Sequence, residues 1–224
     1  VRALAVFKNE LYVGGSFENA GGVGKADYLA RWNGSAWNAV GDDGAGGAAL
    51  CCGLVTGTAV YALAATKDNL YVGGSFKNAA GLAAADHFAR WSGSAWSSVR
   101  QDTLGDGAFE TGGILAISIH NGQIYVGGGF TDAADEAFAD YLAYWTGEEW
   151  LPVYAVGVDG PINCAVYSLL WVGSDLYIGG CFTNVRAQPS CDYITVFNGG
   201  DFACLGDTGG NGVLNGMVRT LTNF

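Results

Sequence analysis

The feature that most constrains this chain is internal repetition. Four blocks, residues 1–40, 60–99, 114–153 and 166–205, align without a gap. The first reads VRALAVFKNELYVGGSFENAGGVGKADYLARWNGSAWNAV, and the second VYALAATKDNLYVGGSFKNAAGLAAADHFARWSGSAWSSV. The third carries IYVGGGF and DYLAYWTGEEW, the fourth LYIGGCF and DYITVFNGGDF. Tyr12, Tyr71, Tyr125 and Tyr177 correspond, as do Phe17, Phe76, Phe130 and Phe182. Asp27, Asp86, Asp140 and Asp192 follow ten residues later, and then Trp32, Trp91, Trp145 and Phe197. Length varies only between blocks, in 41–59, 100–113, 154–165 and 206–217. Repetition at this period points to stacked units that share a core.

Each block reads as four short strands. In the first they are predicted at Arg2–Phe7, Leu11–Gly15, Tyr28–Trp32 and Ala36–Val40. Val, Tyr, Trp and Leu suit strands, and the breaks hold Lys-Asn, Gly-Gly or Asn-Gly. Trp32-Asn33-Gly34-Ser35 predicts a type I′ hairpin turn. Strands so close in sequence must form an antiparallel meander. Apolar residues do not alternate cleanly with polar ones, which predicts sheets covered on both faces. The expectation is all-β: a β-propeller with four four-stranded blades visible, part of a larger propeller or assembly. The units are 1–59, 60–113, 114–165 and 166–217. Residues 218–224, VRTLTNF, restate the opening VRALAVF. They are expected to be the first strand of a further blade, or a closing or inter-subunit strand.

A hydrophobic strand ending in Gly-Gly, an aromatic in the third strand and a Trp opening the fourth resemble a kelch-type blade. The LYVGGSF…A…RWNGS-W-V pattern is similar to repeats of secreted bacterial and fungal propellers, including fungal cortical polarity-marker ectodomains. The resemblance covers all four blocks. It implies the propeller fold and leaves function open, because such propellers serve as enzymes, lectins, adhesins and scaffolds. The fourth block departs most: Phe replaces both Trp residues, and Cys181 and Cys191 appear.

Composition narrows the function classes. Half of the 224 residues are hydrophobic and 37 are glycine. The formal net charge is −11, so no basic patch for nucleic acid is expected. No apolar run reaches the roughly 20 residues of a membrane span. Six cysteines, Cys51, Cys52, Cys164, Cys181, Cys191 and Cys204, lack metal-ligand spacing and favour disulfides in an oxidising compartment. Cys181 and Cys191 replace small residues at the two ends of one loop, so a Cys181–Cys191 bridge is predicted.

Chemistry is sparse. The two histidines are His87, where the other blocks have Tyr28, Tyr141 and Tyr193, and His120, in a His-Asn-Gly sequence read as a solvated turn. The repeated aspartates read as structural caps that accept backbone N–H bonds at the start of each third strand. Asp132, Asp135, Glu136 and Asp140 crowd one loop, as a solvated face or a calcium site. Asp42-Asp43 lies in a Gly-rich loop that lacks the Lys of a phosphate-binding loop. Asn33-Gly34-Ser35 is a glycosylation sequon on an exposed hairpin. The sequence therefore predicts a non-enzymatic extracellular or cell-surface module without cofactor, structural or protein-binding. Its partners would be other protein subunits or cell-surface components. The alternatives are a lectin-like carbohydrate binder and a non-catalytic fragment of a propeller hydrolase or oxidase.

Overall fold

The computed structural model describes all residues except 51–56, 100–106, 110, 137, 155–159, 189, 207–211 and 224. Cys51 and Cys52 lie outside the described residues. Among the described residues, sixteen strands fall where the repeat places them. They are β1 Ala3–Phe7, β2 Glu10–Gly14, β3 Leu29–Trp32 and β4 Trp37–Ala39; then β5 Val60–Ala65, β6 Leu70–Gly74, β7 Phe88–Trp91 and β8 Trp96–Ser97. The second half holds β9 Ile114–His120, β10 Gln123–Gly128, β11 Leu142–Trp145 and β12 Trp150–Pro152; then β13 Val166–Val172, β14 Asp175–Gly180, β15 Ile194–Phe197 and β16 Phe202–Cys204. Consecutive strands pair into four separate four-stranded sheets in sequence order. The architecture is all-β and consistent with a four-blade β-propeller. The chain divides into two compact units, Val1–Ile114 and Leu115–Phe224.

Burial explains the missing alternation. All five residues of β6 are buried, on both faces of the sheet. In the first unit Phe7, Tyr12, Leu29, Leu50, Val60, Val72, Phe76 and Trp91 belong to one core cluster. In the second unit Val166, Leu176, Ile178, Phe182 and Phe202 do the same. The Gly-Gly pairs make this packing possible. A Cβ on Gly14 would overlap the Val60 side chain, and one on Gly127 would overlap that of Val166. Only glycine lets the first strand of the next sheet come so close.

One backbone feature was not foreseen. Tyr28, His87, Tyr141 and Tyr193 all have positive φ, at 62°, 58°, 60° and 64°. Around each of them an N–H donates two residues back, as from Leu29 to the Asp27 carbonyl at 2.6 Å. These are γ-turns of the positive-φ kind, which are rare and strained. Two long-range bonds pin each one. For the first, Tyr28 N–H donates to Phe17 O and Gly15 N–H to Tyr28 O, both at 2.9 Å. The first hairpin loop also differs from expectation. Trp32 pairs with Trp37 across a four-residue loop. There Gly34 has positive φ and Asn33 does not, so the turn is not type I′.

Candidate interaction surface

The repeated aspartates hold the loops that end each second strand. Asp27 Oδ1 accepts the Asn19 N–H at 2.6 Å, and Asp86 Oδ1 that of Asn78 at 2.6 Å. Asp140 takes the Asp132 N–H at 2.8 Å, and Asp192 that of Asn184 at 2.7 Å. In every case the donor lies eight residues earlier, at the start of the loop rather than of the third strand. Those donor residues are themselves left-handed, with φ between 49° and 53°. A carboxylate opposite a left-handed Asn or Asp therefore closes each loop.

His87 fills its Tyr-equivalent place inside the second sheet. It is 7% exposed, with Nδ1 3.3 Å from the Gly74 carbonyl oxygen. Burial, reinforced by the nearby Lys77 ammonium, holds its pKa below the ordinary histidine value. His120 is not a solvated turn residue. It ends β9 and stacks on Trp171, with ring centroids 3.9 Å apart and planes 9° from parallel. Tyr125 meets the same indole edge-on at 5.0 Å. The sequence offered no sign of this stack, because the rings come from different sheets.

The polar loops are occupied by their own backbone. Asp43 Oδ1 accepts the N–H of Ala45 at 2.8 Å and of Gly47 at 2.7 Å, and these bonds hold its carboxyl below the usual range. Asp42 Oδ1 accepts the Gly44 N–H at 3.0 Å. Asn33 Oδ1 accepts the N–H of Ser35 at 3.0 Å and of Ala36 at 2.9 Å, which shapes the hairpin that carries the sequon. Ser92, Thr146 and Asn198 make the corresponding turn bonds in the other blocks. In the acidic loop, Asp132 precedes and Asp135 ends a short 3-10 turn. No group of three or more His, Cys, Asp or Glu among the described residues is placed to hold a metal ion.

The disulfides correct the predicted pairing. Cys181 bonds Cys164, and Cys191 bonds Cys204. Their Cα separations are 5.4 and 4.6 Å. No described cysteine is free. Past Gly180 and Tyr193 the two strands part into the loop, so ladder neighbours no longer set what each side chain meets. The Cys181 N–H donates to the Ala165 carbonyl at 3.1 Å, which directs this residue to the incoming connector. Cys191 is wholly buried beside the fourth strand. The fourth block is thus tied twice, Cys181 to its incoming connector and the loop before β15 to the outer strand β16.

Clefts lined by described residues of the first unit include the following two. One of about 320 Å³ is lined by Asp42, Leu82, Trp91 and Trp96, among others. Its indole Trp96 donates to the Val40 carbonyl at 2.8 Å. The other, of about 250 Å³, is lined by Val1, Val13, Phe17, Ala20, Gly21 and Trp37.

Comparison with known proteins supplies no family. No family model matches the chain, and no curated protein sequence matches it. Among solved structures, YjhT is similar over 92% of this chain and 65% of its own, at 13% identity and a TM-score of 0.45. The computationally designed protein Ika8 is similar over 100% of this chain and 65% of its own, at 13% identity and a TM-score of 0.43. The chain thus spans about two thirds of the length of each.

Proposed function

We propose that this chain is an extracellular or cell-surface propeller module with a structural or protein-binding role and no catalytic activity of its own. The observation that carries the reading is the pair of disulfides in the fourth block, Cys164–Cys181 and Cys191–Cys204. Disulfides persist in oxidising compartments and are rare in the cytosol. They bracket the one block in which Phe replaces both repeated Trp residues. Each closes a loop of fewer than 20 residues, with separations of 17 and 13, and each contributes about 3 kcal/mol by chain entropy. The repeated Asp and aromatic residues are engaged in building blades, which supports a rigid platform presenting variable loops. Within this reading the blades are of kelch-like, secreted type, Asn33 carries the glycan, and the partners are proteins or cell-surface components.

The test is non-reducing peptide mapping of the chain after alkylation under denaturing conditions. The expected linked peptides are 164 with 181 and 191 with 204. Free thiols at these four positions in freshly isolated native protein would overturn the extracellular assignment.

The cleft lined by Trp91, Trp96 and Asp42 favours a second reading, a carbohydrate binder. The partly exposed Trp96 indole, with the Asp42 carboxylate among the lining groups, suits a sugar ring. Glycan-array binding that Trp96→Ala abolishes would select this reading over the protein-binding one.

A further inference from the structure

The fourth block holds an aromatic ring where the second block holds a cleft. Tyr154 is the first residue after the third block and lies in the connector that enters the fourth. Its ring meets Phe202 edge-on, with centroids 5.7 Å apart and planes at 76°. The Arg186 guanidinium lies over the same ring at 4.7 Å and pairs with Asp201. Together these side chains close the site, and Phe202 is 4% exposed.

In the second block the four corresponding residues are Gly41, Ala80, Ala95 and Trp96. All four line the cleft of about 320 Å³. Ring, guanidinium and carboxylate are replaced by glycine and two alanines. The aromatic wall remains, enlarged from phenyl to indole, and Trp96 is partly exposed. Gly41 has a φ of 75°, and a Cβ there would lie 2.7 Å from Trp96 Nε1, so a side chain at this position is doubly disfavoured. Ala80 and Arg186 share one backbone conformation, with φ of 55° and 52°. The cleft is thus the Tyr154 seat without its ring. Its lining groups lie between Gly41 and Trp96, inside one compact unit.

The second block adds polar groups to this seat. Asp42 and Ser94 line the cleft, where the fourth-block counterparts are Ala155 and Gly200. Asp42 Oδ1 accepts the Gly44 N–H at 3.0 Å, and Oδ2 lies 3.7 Å from Lys25 Nζ. A carboxylate has about four lone-pair sites, so Asp42 can still accept from a ligand. The Ser94 hydroxyl meets Ser92 Oγ at 3.3 Å. The Trp96 N–H is spent on the Val40 carbonyl, so the indole offers the cleft its apolar ring. Leu82, 37% exposed, adds a second apolar wall.

An aromatic guest would match the indole but bring no donor for Asp42. A hydroxylated six-membered ring matches both, with C–H groups on the indole and hydroxyls toward Asp42 and Ser94. The carboxylate and the net charge of −11 disfavour an anionic sugar. Ligand clefts run from about 300 to 1,000 Å³, so this one takes a single ring rather than a long chain.

We propose that the cleft seats one neutral hexopyranose residue, held in the second block where the Tyr154 ring sits in the fourth. This rests on the carbohydrate reading of the cleft given above and names the size and charge of the sugar. The sugar's C–H face lies on Trp96, and its hydroxyls donate to Asp42 and exchange a hydrogen bond with Ser94.

Saturation-transfer NMR on the full chain tests this, with the methyl glycosides of glucose, galactose and mannose as probes and methyl glucuronide as the anionic control. At least one neutral glycoside is expected to bind and the glucuronide is not. The double variant Ala80→Arg with Ala95→Asp rebuilds the fourth-block pair over the cleft, on a backbone that already suits it, and leaves Trp96, Asp42 and Ser94 in place. It is expected to abolish binding, with far-UV circular dichroism and the urea midpoint as folding controls. Asp42→Asn, at an exposed position, should weaken binding about fivefold as a charge-assisted bond becomes a neutral one, and it carries the test if the double variant does not fold. Binding that both variants leave unchanged puts the sugar elsewhere, which overturns this proposal and leaves the carbohydrate reading standing. Preference for the glucuronide overturns it as well. So does binding of N-acetyltyrosinamide but of no glycoside, which would give the seat to an aromatic side chain. Absence of any glycoside binding overturns the proposal, and a blank glycan array would then remove the carbohydrate reading with it.

Discussion

Gly127→Ala isolates the packing rule that spaces the blades. Gly127 lies in β10, paired with Leu142, at a φ outside the positive region, so alanine meets no backbone strain there. The added Cβ would lie 2.9 Å from Val166 Cβ and closer still to its Cγ1. Unstrained carbon contacts need about 3.5–4.0 Å, so the sheets must part by roughly 0.5–1 Å. Both sides are held by ladders, and overpacking of this kind costs about 1–3 kcal/mol. The lost freedom of the unfolded chain returns about 0.4–1 kcal/mol. The expected net loss is roughly 1–2 kcal/mol, read as a lower urea midpoint at unchanged slope. Val166→Ala alone leaves a hole at a fully buried site and costs about 2 kcal/mol. Together the two should cost less than their sum by about 1 kcal/mol, because the Cγ1 overlap is gone. An unperturbed Gly127→Ala protein, or strictly additive penalties, would refute the account of the Gly-Gly strand.

Other expectations follow from the same structure. Because burial lowers the His87 pKa, the unfolded chain gains a proton below its ordinary value of 6.5 that the folded chain refuses. Stability contributed by His87 is thus constant above that pH and declines as pH falls through it. His87→Tyr, the residue of the other blocks, should flatten the slope between pH 7.5 and 5.5 in matched urea titrations. Equal slopes for both proteins would show that His87 is not the titrating group. Asp27→Asn exchanges a charge-assisted bond from Asn19 for a neutral one, and a loss of about 1 kcal/mol is expected in the urea midpoint. No loss at Asp27 or at Asp192→Asn would show that the loop holds its shape without the carboxylate.

The four-block repeat, its strands and its sheet order were legible in the chain because they follow from local rules. Strand residues alternate with Gly-, Asn- and Asp-rich breaks, and four strands so near in sequence can only form a meander. Doubly covered sheets were legible too, since Leu70 to Gly74 carry no polar face. What needed the tertiary structure depends on groups that distant contacts bring together. Tyr28 and its counterparts accept a strained γ-turn only because two long-range backbone bonds hold each one, and tyrosine carries no local preference for it. His120 meets Trp171 because neighbouring sheets set their strands side by side. Cysteine pairing was misread because closeness along a loop does not set the direction of Cβ, which the departing strands turn toward Cys164 and Cys204 instead.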